Sequence, residues 1–126
     1  MLEQLAGAGM FVLSSRFEGF PNALVEAMAC GRAVISTNCS SGPQDLIEMG
    51  RNGLLVPADN ADQLALRMEQ LILDPRLRSQ LGNAALKIRA DLSMGKVLWM
   101  WNSELTRCGC PVVERGEMLE STSRAA

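Results

Sequence analysis

The sequence predicts an α/β domain in which a narrow parallel sheet lies between helical layers and further helices follow toward the C-terminus. Two patterns point to it. Between Met10 and Pro57, short apolar runs that end in polar residues alternate three times with helical spacing. From Pro57 to about Leu105 the apolar period is helical. Alternation of this kind implies right-handed βαβ crossovers, a parallel sheet and ligand binding beyond the strand C-termini. With 126 residues, 48% of them hydrophobic, the chain suffices for one sizeable core.

Taken in order, Met10 to Ser14 (MFVLS) reads as a buried strand. From Asn22 a short helix is predicted, because Ala23, Leu24, Ala27 and Met28 keep helical spacing, Pro21 suits the first turn and Gly31 stands where a left-handed C-cap belongs. Ala33 to Thr37 (AVIST) is the second strand, Pro43 to Met49 the second helix, and Gly53 to Val56 (GLLV) the third strand. Asp62 to Asp74 should be a helix with Asn60 as N-cap and Leu64, Leu66, Met68, Leu71 and Ile72 facing inward. Asp74-Pro75 restarts the pattern as Arg76 to Leu92, with Leu77, Leu81, Leu86 and Ile88 inward, and Ser93 to Leu105 is a last amphipathic stretch. From Cys108 to Ala126 the period is lost, so residues 1–107 are expected to form the domain and 108–126 a disordered tail.

Three strands are few for a doubly wound domain, and no Gly-rich phosphate loop precedes Met10. Ala6-Gly7-Ala8-Gly9 leads into a strand rather than joining a strand to a helix. The pattern is that of a partial Rossmann-like domain whose first half is absent from this sequence.

Composition narrows the chemistry. The 12 basic and 14 acidic residues are scattered, with no basic run to neutralise a row of phosphates, so nucleic acid is not an expected partner. No apolar stretch approaches the roughly 20 residues of a membrane span, and Met1 to Met10 lacks the features of a signal peptide; a cytoplasmic location is expected. Cys30, Cys39, Cys108 and Cys110 are then expected as thiols, and no metal site is expected of Cys108-Gly109-Cys110. The chain has no histidine, which removes the Ser-His and Cys-His nucleophile pairs. Chemistry must run on carboxylates, backbone amides and hydroxyls.

Such groups converge between the first strand and its helix, in Glu18-Gly19-Phe20-Pro21-Asn22-Ala23-Leu24-Val25-Glu26. A helix N-terminus at a strand's C-terminal end attracts an anion, here a diphosphate. Pro21 supplies no N–H, so the donors are Phe20, Asn22 and Ala23, while Gly19 permits a tight turn and close ligand approach. Glu26, one helical turn after Asn22, can accept both hydrogens of a ribose diol, and Glu18 is placed for a sugar hydroxyl. A nucleotide-sugar fits this set.

The segment resembles the E-x7-E motif of the group 1, or family 4, retaining glycosyltransferases of the GT-B fold. Phe11 to Ser15, Arg16 to Asn22, Glu26 to Gly31, Val34 to Thr37, Gly42-Pro43 and Asn52 to Pro57 match that family in order and spacing. The likeness covers Met10 to about Leu92 and implies the donor-binding C-terminal domain. It implies Glu18 as the catalytic contact to the donor sugar, Glu26 as the ribose contact, and Gly19, Phe20, Pro21, Asn22 and Ala23 around the phosphates and sugar. It also implies transfer of a hexosyl or N-acetylhexosaminyl unit with retention, no cofactor and no metal, and a glycan or lipid-linked acceptor held by an N-terminal domain absent here. Ser41 to Pro43 resembles the branch that builds cell-surface polysaccharides, commonly from UDP-sugars.

The family's upstream Arg and Lys, which neutralise the diphosphate, are also absent. The chain is therefore expected to be inactive alone, a truncated product or one part of a split enzyme, and the full enzyme could associate peripherally with membranes. Two other readings stay open: a nucleotide-sugar-binding module without catalysis, and a structural remnant that pairs with another chain. Trp99 and Trp101 are expected to pack against a domain surface.

Overall fold

The computed structural model describes residues 2–39 and 42–92. The chain divides into two compact units, Met1–Ala90 and Asp91–Ala126. The expected Ser93 to Leu105 helix, both tryptophans, Cys108, Cys110 and the 108–126 tail lie outside the described residues.

The element order is α1 (Leu2–Gly7), β1 (Met10–Leu13), α2 (Asn22–Ala29), β2 (Ala33–Asn38), α3 (Pro43–Leu46), β3 (Leu54–Pro57), α4 (Ala61–Leu73), α5 (Pro75–Ala85) and α6 (Ile88–Asp91). The strands form one parallel sheet in the order β1-β2-β3. Met10 to Leu13 register with Ala33 to Ser36, and Ile35 to Asn38 with Leu54 to Pro57. Central β2 is buried from Ala33 to Thr37, as its unbroken apolar start requires.

Strand alternation sends Ala33 and Ile35 to one face, where they join Leu54, Val56, Leu71 and Leu81 in a core covered by α4 and α5. Val34, on the opposite face by the same alternation, is fully buried, as are Leu24, Ala27 and Met28 of α2. The result is the three-layer α/β arrangement expected from the sequence. Complete burial of each large side chain contributes about 1.5–3 kcal/mol, so these two cores dominate stability.

Helix ends follow the expected chemistry where the signal is local. The Asn60 side chain accepts from the Gln63 N–H at 3.0 Å, and Asp74 accepts from the Arg76 and Leu77 N–H groups at 3.1 and 3.0 Å. Gly31 is left-handed at φ 69°. Around it the Arg32 N–H donates to the Ala27 carbonyl and the Gly31 N–H to the Met28 carbonyl, both at 3.0 Å, the double bond of a Schellman cap.

One element was not expected, and three expectations are corrected. Helix α1 has no counterpart in the sequence pattern: Leu5 is buried, and the Arg32 guanidinium donates to the Ala6 and Ala8 carbonyls at 3.4 and 3.0 Å, so a distant side chain holds a six-residue helix. The second helix stops at Leu46 rather than Met49, because Asn52 donates to the Leu46 carbonyl at 3.1 Å and accepts from the Glu48 N–H at 2.8 Å, leaving Ile47 extended and buried. On α4, Leu66 and Ile72 are 52% and 57% exposed; the inward residues are Leu64, Met68 and Leu71. The Arg76 to Leu92 helix is broken between α5 and α6, and there Arg89 donates to the Ala29 carbonyl at 2.6 Å. No helix among the described residues is long and apolar enough to cross a membrane.

Helix α5 approaches the α2–β2 turn so closely that a Cβ on Gly82 would collide with the Gly31 carbonyl oxygen. Backbone on both sides leaves nothing to yield. Gly82→Ala should therefore destabilise the chain by about 2 kcal/mol or more in urea unfolding, whereas Gly7→Ala, with open space around it, should leave the midpoint nearly unchanged.

Candidate functional site

The segment from Ser14 to Pro21 leaves β1 at the C-terminal edge of the sheet and enters α2. It has no regular secondary structure, so side chains hold it. The Thr37 hydroxyl donates to the Ser15 carbonyl and lies 3.5 Å from the Leu13 carbonyl. The Ser15 hydroxyl in turn donates to Glu18 Oε1 at 2.5 Å. Phe17 and Phe20 are exposed on the same segment.

The α2 N-terminus carries no side-chain cap, since Pro21 occupies that position. Its uncapped first turn retains the anion-attracting character expected of it. One donor changes status: the Asn22 N–H already bonds the Phe20 carbonyl at 3.0 Å, which leaves Phe20 and Ala23 from the expected set. Glu26 is half-buried and lies on the helical side of Asn22, away from Leu24, Ala27 and Met28. Glu18, Gly19, Phe20, Pro21, Asn22, Ala23 and Glu26 thus belong to one loop-and-helix unit at the sheet edge.

Gly19 does not serve the turn as expected. Its φ is not positive and an added Cβ would meet nothing within 4 Å. The glycine that the local fold requires is Gly42, which sits at φ 91° with its α-carbon turned toward the loop; a Cβ there would lie 2.8 Å from Pro21 Cδ and 3.1 Å from the Gly19 carbonyl oxygen. The β2–α3 connection therefore rests directly on the β1–α2 loop.

Beside this unit, at the strand ends, lies a pocket of about 270 Å³ lined by Ser14, Arg16, Thr37, Asp59, Asn60, Ala61 and Leu64. Arg16 Nε and Asp59 Oδ1 pair at 2.6 Å across it, with both side chains largely exposed. Such a pair contributes about 1 kcal/mol at most. Asp59 holds φ 59°, the left-handed region, and is the one non-glycine residue described there. Arg32, the other arginine near the motif in sequence, is at the opposite end of β2 and bonds the Ala6, Ala8 and Cys30 carbonyls. Among the described residues no three metal-ligating side chains gather, and Cys30 and Cys39 form no disulfide with each other.

Sequence reasoning missed Ser15, Thr37 and Asp59. Ser15 carried a signal, the Ser-x-x-Glu spacing to Glu18, in which a hydroxyl can reach a carboxylate three residues on. Asp59 carried none.

Residues 1–88 match the family described as glycosyl transferases group 1. The chain belongs to that family. It is 37% identical over 86 residues to the N-acetylgalactosamine-N,N'-diacetylbacillosaminyl-diphospho-undecaprenol 4-alpha-N-acetylgalactosaminyltransferase of Campylobacter jejuni, an alignment covering 68% of this chain and 23% of the relative. Its fold resembles a mutant of S. aureus TarM solved with Fondaparinux, alpha-GlcNAc-glycerol and UDP, with TM-score 0.75 and 28% identity over 79% of this chain and 20% of that one. It also resembles Anabaena HepE in complex with UDP, with TM-score 0.75 and 22% identity over 83% and 29% of the two chains. The chain spans about a quarter of the length of the curated relatives it matches. The fold is the GT-B type that the motif implied.

Because Gly42 supports Pro21 and Gly19, Gly42→Ala should both strain its backbone and push the loop outward. A loss of about 1–3 kcal/mol in urea unfolding is expected, together with chemical-shift changes at the Gly19, Phe20 and Asn22 amides in an amide NMR spectrum.

Proposed function

We propose that the chain is the donor-binding portion of a retaining glycosyltransferase that transfers a hexosyl or N-acetylhexosaminyl unit from a nucleotide-diphosphate sugar, most simply a UDP-sugar, to a glycan or lipid-linked acceptor. The observation that carries the reading is the placement of Glu18 and Glu26 on either side of the uncapped α2 N-terminus at the C-terminal edge of β1. Family membership and the UDP in the TarM structure support it.

In this reading the diphosphate meets the N–H groups of Phe20 and Ala23 and the positive end of α2. Glu26 accepts from the ribose diol and Glu18 from a donor-sugar hydroxyl. As the donor bond breaks, negative charge grows on the leaving diphosphate, and donors already aimed at it stabilise the transition state more than the ground state. No metal is required of this arrangement, so donor binding should be unaffected by chelator. A cytoplasmic location, with peripheral membrane association of the full enzyme, belongs to the same proposal.

The acceptor side lies outside this sequence in the proposal, as the quarter-length coverage of the relatives suggests. Orienting two reactants against each other accounts for roughly 7–11 kcal/mol of a barrier, and one wall cannot orient both. The chain alone should show no transfer, and a fusion to the upstream half of a related enzyme should restore it. A panel of UDP- and GDP-sugars assayed with both proteins checks this; turnover by the chain alone would refute the missing wall. In the active fusion, Glu26→Ala should weaken donor binding about tenfold or more, as loss of a charged hydrogen bond implies, while Glu18→Ala should lower kcat more than it raises KM.

One observation favours the rival reading of a structural remnant. Among the described residues β1 pairs only with β2, leaving an edge that another chain could extend. A folded but inactive fusion, with no nucleotide binding and concentration-dependent association, would decide for that reading.

A further inference from the structure

We propose that Thr37 and Ser15 are positioning residues for Glu18, acting in series to aim its carboxylate and so to set how strongly the site prefers a sugar-bearing nucleotide over the bare nucleotide. The inference rests on the reading of Glu18 as the donor-sugar contact.

Glu18 stands on a segment with neither helix nor strand to hold it. The β1–β2 ladder ends with the pair Leu13 and Ser36. Thr37 is the next residue of β2, only 5% exposed, and its hydroxyl continues the attachment where backbone pairing stops by donating to the Ser15 carbonyl. As a buried β-branched residue it has little rotamer freedom, so it anchors Ser15 firmly. The Ser15 hydroxyl then reaches Glu18 Oε1 at 2.5 Å, the short range of a hydroxyl on a carboxylate. Two hydrogen bonds thus run from the rigid central strand to the carboxylate.

The energetic consequence is preorganisation. Ordering a glutamate side chain costs rotamer entropy. If it is ordered before the donor arrives, that cost is removed from binding. Neither Thr37 nor Ser15 contacts the ligand in this account. A purely structural role for Thr37, satisfying a buried carbonyl, would make its loss lower stability without altering selectivity between ligands.

The test uses the full chain and calorimetric titration with UDP, UDP-glucose and UDP-N-acetylglucosamine, comparing the dissociation constant for UDP with that for the tighter UDP-sugar. Ser15→Ala and Thr37→Val should each cut the preference for the UDP-sugar about 3- to 10-fold while changing UDP affinity less than about 2-fold, and Thr37→Ser, which keeps the hydroxyl, should restore the preference. Glu18→Gln should reduce it about 10-fold or more. If Glu18→Gln abolishes the preference but Ser15→Ala and Thr37→Val retain it, the positioning role is refuted and the role of Glu18 stands. If Glu18→Gln retains it, or the wild type binds none of the three probes, the donor-sugar reading falls and this inference with it. Thermal unfolding accompanies each titration; should Thr37→Val fail to fold, Ser15→Ala decides the matter.

Discussion

The domain depends on the burial of β2. A strand flanked by partners on both edges and covered on both faces has no water to satisfy its polar groups, so every one of them must find a partner within the protein. The backbone is served by β1 and β3, and Ala33, Val34 and Ile35 ask for nothing more. The last two buried residues, Ser36 and Thr37, bring hydroxyls into the same dry environment. Ser36 resolves this locally by donating to the Thr37 carbonyl at 3.1 Å, whereas Thr37 reaches across to the loop that leaves β1. A demand for polar satisfaction in the core therefore shapes the edge where the acidic residues stand.

Magnitudes separate what builds this domain from what equips it. Arg32, Arg78 and Arg89 direct their guanidinium groups to carbonyls at the ends of α1, α4 and α2 respectively, groups that a helix leaves unpaired. The Arg32 and Arg89 interactions join elements distant in sequence, Arg89 reaching back 60 residues, while Arg78 ties α5 to the helix just before it. Arg16 differs, being exposed at the C-terminal edge of the sheet and held by Asp59 in a pair too wet to add much stability.

Legibility followed the range of the determining interaction. The strands, the Asn60 cap, the restart at Asp74-Pro75 and the Gly31 turn were readable because each is decided within a few residues. Helix α1, the early end of α3 and the break before α6 were not, because Arg32, Asn52 and Arg89 act across gaps that no local pattern encodes. Leu66 and Ile72 belong to an apolar stripe wider than the surface that covers it, so periodicity alone turns them inward. In the site, the two glutamates and the loop between them stood out by motif, but Asn22 as a donor and Gly19 as a turn glycine did not survive geometry that only coordinates reveal.

The contact of Gly42 with Pro21 and Gly19 also bears on how such sequences diverge. Two connections separated by a whole strand share one van der Waals boundary, so neither can change volume independently. Position 42 is doubly constrained, since a β-carbon there would meet the Pro21 ring and would also sit on a left-handed backbone that glycine adopts without strain. Glycine should consequently persist at 42 across homologues, whatever residue stands at 21.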